Sequence, residues 1–158
     1  MLSQERFIQL ARQYQDMIFR LAFSYLKRQA DADDITQDVL LRLYQSNRAF
    51  ESEEHIKHWL IRVTINECKK FWRSPWRKVE DMEAYANTLP FENQRDSDLF
   101  CTIMGMEQKY RTVIMLYYYE GYSIAEIAQL LHVPAGTIGT RLSRARNILR
   151  NQLTEAEP

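Results

Sequence analysis

Residues 121–138 constrain the fold more than any other part of this chain, and they read GYSIAEIAQLLHVPAGTI. Ser123 and Glu126 are three residues apart, a spacing that predicts a capping box, in which each side chain satisfies a backbone N–H at a helix start. Pro134 suits the first position of a second helix, where its fixed φ and missing N–H are tolerated. We therefore expect two helices joined by a short turn at His132 and Val133, which is a helix-turn-helix.

The second helix of this motif, expected over about 135–152, has two faces of different chemistry when it is turned by about 100° per residue. One face is apolar and should pack inward: Ile138, Leu142, Ala145 and Leu149. The opposite face is small, polar or basic: Gly136, Thr140, Ser143, Arg144, Asn147 and Arg150. No acidic residue occurs between Glu126 and Glu155. Such a helix fits the major groove of duplex DNA, although an amphipathic helix with a merely solvated face is a competing interpretation.

Apolar residues recur at three-and-four spacing along the rest of the chain, which predicts an all-α fold. Further helices are expected over about 4–28, 34–45, 54–73 and 99–119, with a first helix of the motif over about 123–131. We expect the acidic run Asp31–Asp34 to form a turn that caps the second of them. Only four Gly and four Pro occur in 158 residues, which favours helices over turn-rich β structure.

A segment rich in acidic residues separates two helical modules. Ser74-Pro75 should end a helix, because the residue before proline avoids the helical region. Pro90 then interrupts the segment that follows. We therefore predict small helical domains at 1–74 and 98–154, joined by a flexible linker at 75–97 that holds a short helix near 82–86.

Several function classes find no support in the sequence. Lys+Arg and Asp+Glu are both 21, so the chain is not basic as a whole. Cys68 and Cys101 have no partner at metal or redox spacing, and His55 and His58 lack further ligands, so we predict no metal and two reduced cysteines. No Gly-rich phosphate loop or nucleophile elbow is present, so we predict no enzyme activity and no cofactor. Without a signal peptide or an apolar run of about 18 residues, we expect a cytoplasmic protein with no membrane insertion.

Two separated segments resemble the sigma-70 family of bacterial transcription initiation factors, most closely its extracytoplasmic-function subfamily. Residues 30–44, ADADDITQDVLLRLY, and residues 58–66, HWLIRVTIN, are similar to the second conserved region of that family. Residues 110–146 are similar to its fourth region, including the pattern G-T-x-x-x-R-L-x-R-A-R. The resemblance covers about 7–74 and 99–152, and two matches in the right order are more specific than either alone.

The resemblance implies a protein that binds core RNA polymerase and directs it to specific promoters. Its first domain, a region 2 helical bundle, would open and recognise the minus-ten element. Its second domain, a region 4 helix-turn-helix, would recognise the duplex minus-thirty-five element. The implied partners are core RNA polymerase, through its β′ coiled coil and its β flap, promoter DNA in duplex and single-stranded form, and an anti-sigma factor.

The resemblance also implies three groups of site residues. The polymerase-binding group is Asp34, Gln37, Asp38 and Leu41. The minus-ten group is Arg62, Asn66, Lys69, Lys70, Trp72 and Arg73, with Asn66 lining a pocket for a flipped base. The minus-thirty-five group is Gly136, Thr137, Thr140, Arg141, Ser143, Arg144 and Asn147. Position 139 is Gly where the family often has Lys or Arg, so one expected phosphate contact is missing.

Some assignments stay open at this point. Basic residues interleaved with aromatics suit a single strand, through phosphate attraction and base stacking. Trp72 and Trp76 are candidates for stacking, although a helix end packed on the linker competes with that interpretation. We assign Trp59 to the core and leave Phe71 open between core and stacking. The alternative function is a stand-alone helix-turn-helix regulator, which would bind DNA without polymerase.

Overall fold

The computed structural model describes residues 2–72 and 94–156, and within those ranges every regular element is helical. The helices are α1 Gln4–Leu26, α2 Gln29–Gln45, α3 Glu53–Trp72, α4 Gln94–Gly105, α5 Gln108–Ile114, a π-helical turn Met115–Tyr119, α6 Ile124–Leu131 and α7 Ala135–Ala156. The contacts divide the chain into two compact units, unit 1 at Met1–Lys78 and unit 2 at Val79–Pro158. Among the described helices, none combines the length and the apolar character that crossing a membrane requires.

Unit 1 is built by α1, which packs against α2 and α3, while these two also pack against each other. Its core confirms the helical periodicity, because Ile35, Val39 and Leu43 of α2 are buried, as expected. The neighbouring helices contribute further fully buried apolar side chains: Leu10, Ile18, Leu21, Leu60 and Ile61. Each such side chain contributes about 1.5–3 kcal/mol on burial, so packing rather than helix propensity holds unit 1 together.

The start of α2 differs from our expectation, since Asp31–Asp34 is not a turn. The chain reverses earlier, at Lys27, which adopts a left-handed conformation with φ 57°, and at Arg28, which is extended. Helix α2 therefore begins at Gln29, and the acidic run lies in its first turns. Negative side chains are favourable there, because they face the positive end of the helix dipole. The side chain of Arg28 adds to this, with Nε 3.9 Å from Asp31 Oδ2.

The single helix expected over 99–119 is also wrong, because the chain breaks between α4 and α5. Arg111 of α5 is only 3% exposed, and its Nη1 donates a hydrogen bond to the carbonyl oxygen of Met106 inside the break. A buried guanidinium needs such an acceptor, since an unpaired buried charge is very costly. Beyond α5, the π-helical turn replaces the last part of the expected helix.

The linker prediction is only partly covered by the described residues. Helix α4 begins at Gln94, so the last four residues of the expected linker are helical. The short helix predicted near 82–86, the aromatic residue Trp76 and the remainder of 75–93 lie outside the described residues. The domain boundaries at 74 and 98 therefore stay predictions.

Candidate polymerase and nucleic-acid interfaces

The predicted polymerase-binding residues form one exposed face of α2. Asp34, Gln37, Asp38 and Leu41 follow the three-and-four spacing of a helix, and all four are exposed. Leu41 is 52% exposed, so its apolar side chain is open to a partner. Within residues 2–72 and 94–156, the three polar side chains make no hydrogen bond or ion pair. The face therefore combines negative charge, an amide and an apolar side chain that are all available to a partner.

The described members of the minus-ten group lie on an exposed face of α3. Arg62, Asn66, Lys69 and Lys70 are all exposed, at positions that repeat about once per helical turn. The opposite face is buried and includes Ile61, Thr64, Ile65 and Cys68. The side chain of Trp72 and all of Arg73 lie outside the described residues. The arrangement gives α3 a surface that can contact phosphates with its cations and a base edge with its amide.

Asn66 lines a recess of about 340 Å³ on this surface. Its lining residues come from α2 and α3: Arg42, Val63, Asn66, Glu67, Lys69 and Lys70. Arg42 Nη2 lies 2.9 Å from Glu67 Oε1, and Lys70 Nζ lies 3.3 Å from the same oxygen. The sequence pattern predicts no role for Arg42 or Glu67, although Glu67 stands out as the one acid among the basic residues of 57–78. The recess holds both hydrogen-bond donors and acceptors beside an apolar wall.

Trp59 and Phe71, on the same helix, are both partly buried. The ring of Trp59 contacts Phe50 edge to face, with 5.6 Å between centroids and an interplanar angle of 70°. Pairs in this geometry stabilise by about 0.5–1.5 kcal/mol beyond the area they bury. Trp59 therefore packs onto the loop before α3 and is only partly buried, so its predicted place in the core is confirmed only in part.

The helix-turn-helix of unit 2 forms as the sequence predicts. The capping box is confirmed, since Glu126 N donates to Ser123 Oγ and Ser123 N donates to Glu126 Oε1, both at 3.1 Å. Helix α6 ends at Leu131, and the capping residue His132 has φ 56°, a left-handed conformation that reverses the chain. The carbonyl of Pro134 accepts the first backbone bonds, from Thr137 N and Ile138 N. Because α7 begins at Ala135, Pro134 precedes the first helical position by one residue.

Helix α7 has the two faces that we expected. Ile138, Leu142 and Ala145 are fully buried, whereas Leu149 is only partly buried. The predicted minus-thirty-five residues are exposed, apart from the partly buried Arg141: Gly136, Thr137, Thr140, Ser143, Arg144 and Asn147. Thr140 Oγ1 donates to the carbonyl of Gly136 at 3.0 Å, so this hydroxyl offers a partner its lone pairs rather than its proton. The face is small at the start of the helix and polar or cationic along its length.

Arg146 is directed away from this face, toward a tyrosine cluster. Its Nε donates to the hydroxyl of Tyr118 at 2.6 Å, and its guanidinium lies 5.3 and 5.6 Å from the ring centroids of Tyr117 and Tyr118. These are cation–π distances. The hydrogen bond to Tyr118 also raises the pKa of the guanidinium above its usual value. Arg146 therefore ties α7 to the π-helical turn, which the run of three tyrosines in the sequence could have indicated.

A second recess, of about 490 Å³, lies beside this cluster in unit 2. Its walls come from α4, α5, the π-helical turn and α7, and include Leu99, Ile103, Ile114, Tyr119 and Leu149. Tyr118 and Tyr119 are each 54% exposed. The recess is an apolar surface with a basic edge at Arg146, on a different part of α7 from the polar face.

Each of the two units matches the model of a known protein family. The family model for Sigma-70 region 2 matches residues 10–78, and that for Sigma-70, region 4 matches residues 98–149. RNA polymerase sigma factor SigV of Bacillus subtilis is 31% identical over 145 residues, which cover 88% of this chain and 86% of that protein. ECF RNA polymerase sigma factor SigW of the same species is 29% identical over 171 residues, covering 97% and 91%.

Two solved structures have a similar fold. The sigma factor RpoE in complex with the anti-sigma factor NepR, from Bartonella quintana, aligns with a TM-score of 0.72 at 22% identity and covers 98% of this chain and 99% of that one. CnrH, in complex with the cytosolic domain of CnrY, aligns with a TM-score of 0.68 at 23% identity, covering 99% and 92%. These similarities confirm the all-α fold class with its region 2 and region 4 domains.

Proposed function

Because this chain belongs to the sigma-70 family of RNA polymerase sigma factors, in its extracytoplasmic-function group, we propose that it is the promoter-directing subunit of a bacterial RNA polymerase. The observation that carries the proposal is the pair of region matches, in order, each on a unit whose exposed face suits its partner. A stand-alone helix-turn-helix regulator would account for unit 2 and leave the α2 face and the Asn66 recess without a use.

Docking on core polymerase uses the α2 face. Asp34 and Asp38 supply negative charge, Gln37 an amide, and Leu41 an exposed apolar contact. Arginines on the β′ coiled coil would form charge-assisted hydrogen bonds with the two carboxylates, which are stronger than bonds between neutral groups. The apolar recess of unit 2, with its exposed tyrosines, suits the apolar side of a second polymerase contact such as the β flap.

Recognition of the minus-ten element uses α3. Lys69, Lys70 and Arg62 attract the phosphates of the unpaired strand, and Asn66 offers a donor and an acceptor to one extruded base. Trp72 and Arg73 are assigned to the same group because of their positions in the sequence. The strand is captured only after polymerase has brought it close, which agrees with a net charge of zero for the whole chain.

Recognition of the minus-thirty-five element uses α7 in the major groove. Arg144 and Asn147 can reach base edges, whereas Thr137, Thr140, Arg141 and Ser143 suit phosphates or bases near the helix start. Gly136 lets the backbone approach the duplex. The protein performs no catalytic step, since the polymerase supplies the chemistry, and it acts in the cytoplasm, where polymerase and promoter are.

An anti-sigma factor is the partner that we propose for regulation. The solved structure of RpoE is a complex with the anti-sigma factor NepR. RpoE shares the fold of this chain over 98% of this chain's length. A partner that covers the α2 face or the apolar recess of unit 2 would compete with polymerase for the same surface.

Run-off transcription tests the proposal. Core polymerase is given the purified full-length chain and a library of linear templates with randomised minus-thirty-five and minus-ten segments, and the transcripts are sequenced. Enrichment of one promoter consensus, absent with core polymerase alone, is the expected result. Sequence-specific binding by the chain alone, combined with no transcript above the core background, would instead establish the stand-alone regulator.

A further inference from the structure

Glu67 is the single acidic residue between Lys57 and Lys78, and it follows Asn66 directly. Its side chain is only 13% exposed. Oε1 accepts a hydrogen bond from Lys70 Nζ at 3.3 Å and forms an ion pair with Arg42, whose Nη2 lies 2.9 Å away. A carboxylate with so little access to water is costly unless it is paired, and these two cations supply the pairing.

The position of Glu67 is fixed both by the buried neighbour Cys68 and by Arg42 of α2. Cys68, the next residue, is fully buried, so this turn of α3 is anchored in the core. Arg42 reaches Glu67 from α2, which joins two helices at this point. The carboxylate is therefore preorganised at the wall of the recess instead of moving with a flexible surface side chain.

The second oxygen, Oε2, makes no hydrogen bond to another described residue. The wall of the recess also includes Lys69, Lys70 and Arg42, whose charged groups only donate. Asn66 both donates and accepts. Glu67 is thus the one side chain on the wall that only accepts, while Val63 supplies an apolar surface for a base face.

We infer that Glu67 is a specificity-determining residue for the base held in this recess, an inference that rests on the proposed function. Oε2 accepts a hydrogen bond from the exocyclic amino group of the unpaired base that Asn66 also contacts. Adenine and cytosine carry that amino group beside a ring nitrogen that accepts, and thymine has a carbonyl oxygen in its place. A carbonyl oxygen set against a carboxylate is repelled, so the recess selects adenine or cytosine over thymine. Arg42 is a positioning residue, because it holds Oε1 and so aims Oε2.

The test uses holoenzyme reconstituted from core polymerase and the full-length chain. Promoter templates are unpaired over the minus-ten element, and the non-template strand carries each of the four bases at each position in turn. The position where Asn66→Ala changes the preference identifies the base in the recess. At that position, Glu67→Gln keeps the shape of the side chain and replaces one oxygen with an amino group that can donate to thymine.

We expect Glu67→Gln to reduce the preference for adenine or cytosine over thymine by about five- to 100-fold, the discrimination that one good base contact provides. Preferences at the other positions should not change. Arg42→Gln should weaken the same preference, and Arg42→Lys should restore part of it. Glu54→Gln is the matched control, because Glu54 is an exposed glutamate near the start of α3 and outside the recess.

The outcomes separate this inference from the function on which it rests. Failure of the wild-type holoenzyme to initiate on any template would overturn the proposed function itself. A wild-type holoenzyme with a clear minus-ten preference that Glu67→Gln leaves intact would overturn the role of Glu67 alone. An equal loss with all four bases would also overturn it, since a general effect on strand binding is not specificity. Capture of core polymerase by each variant, at the wild-type level, verifies that unit 1 is folded.

Discussion

Replacing Ser123 with alanine removes half of the capping box at the start of α6. In the folded chain, two hydrogen bonds of 3.1 Å join Ser123 and Glu126, one in each direction. Helix α6 has eight residues, fewer than the roughly 12–15 that an isolated helix needs in water. Its first turn therefore depends on the box and on the packing of Ile127 and Leu130.

The expected loss of stability is about 1 kcal/mol, the typical cost of replacing a serine cap with alanine. In a unit the size of residues 79–158, this lowers Tm by roughly 4–8 °C. Glu126→Ala should cost a similar amount. The double variant should cost less than the sum by about 0.5 kcal/mol or more, because each single change already weakens the geometry that the other bond needs.

Thermal unfolding of the full chain measures these values with a built-in reference. All three tryptophans, Trp59, Trp72 and Trp76, lie in unit 1, so tryptophan fluorescence follows unit 1 alone. Far-UV circular dichroism follows both units. We expect the Ser123→Ala variant to shift the transition seen only by circular dichroism, and to leave the fluorescence transition in place.

Ser143→Ala is the matched control. It removes the same hydroxyl from an exposed position of α7, where no capping bond exists, and alanine is the better helix former there. This variant should be unchanged in stability or slightly stabilised. Equal losses at positions 123 and 143 would refute the capping argument, and so would a fluorescence transition that moves together with the circular dichroism.

Four further outcomes are expected. Arg144→Ala should weaken holoenzyme binding to the minus-thirty-five element by about 1–3 kcal/mol in a competition assay, because a base or phosphate contact is lost. Asp38→Lys should lower the amount of core polymerase retained in a pull-down, because a cation would face the arginines of the coiled coil. Cys68 should resist thiol reagents at neutral pH while Cys101 reacts, as mass spectrometry would record, since burial raises the pKa of Cys68 to about 12 and the thiolate is the reactive form. Gly139→Ala should stabilise unit 2 by about 0.5–1 kcal/mol in urea unfolding, because an added Cβ meets nothing within 4 Å and alanine loses less entropy on folding.

Each of these outcomes has a result that would contradict it. Unchanged promoter affinity would remove Arg144 from the recognition face, and full retention of polymerase by the Asp38 variant would place docking elsewhere. Labelling of Cys68 as fast as Cys101 in the native state would mean that α3 opens readily. A destabilised Gly139 variant would show that α7 has less room at that position than the backbone geometry provides.

Local sequence patterns predicted the parts of the fold that depend on neighbours along the chain. Helical periodicity identified Ile138, Leu142 and Ala145 as buried, and the spacing of Ser123 and Glu126 identified the start of α6. These features depend on residues three or four apart, so a pattern contains the needed information.

Features that depend on unexpected burial or on distant residues were missed. The break before α5 is held by the side chain of Arg111, which donates to a carbonyl five positions earlier, and nothing in the local pattern marks that arginine as buried. The pair Arg42 and Glu67 joins two helices, and its partners are 25 positions apart in the chain. From the sequence alone, Glu67 could equally have been a solvated residue in a basic run. Only the packing of α2 on α3 revealed its ion pair with Arg42.

The buried guanidinium of Arg111 has a consequence for how unit 2 folds. Its Nη1 donates to the carbonyl of Met106, and a buried charge is stable only while its acceptors are in place, so the folding of helix α5 is coupled to that of the corner before it. Partial unfolding that releases the corner would remove an acceptor from this buried cation, which raises the free energy of such an intermediate. The DNA-recognising motif and the corner should therefore unfold in one cooperative step, and a fragment that begins after Met106 should lose the motif as well.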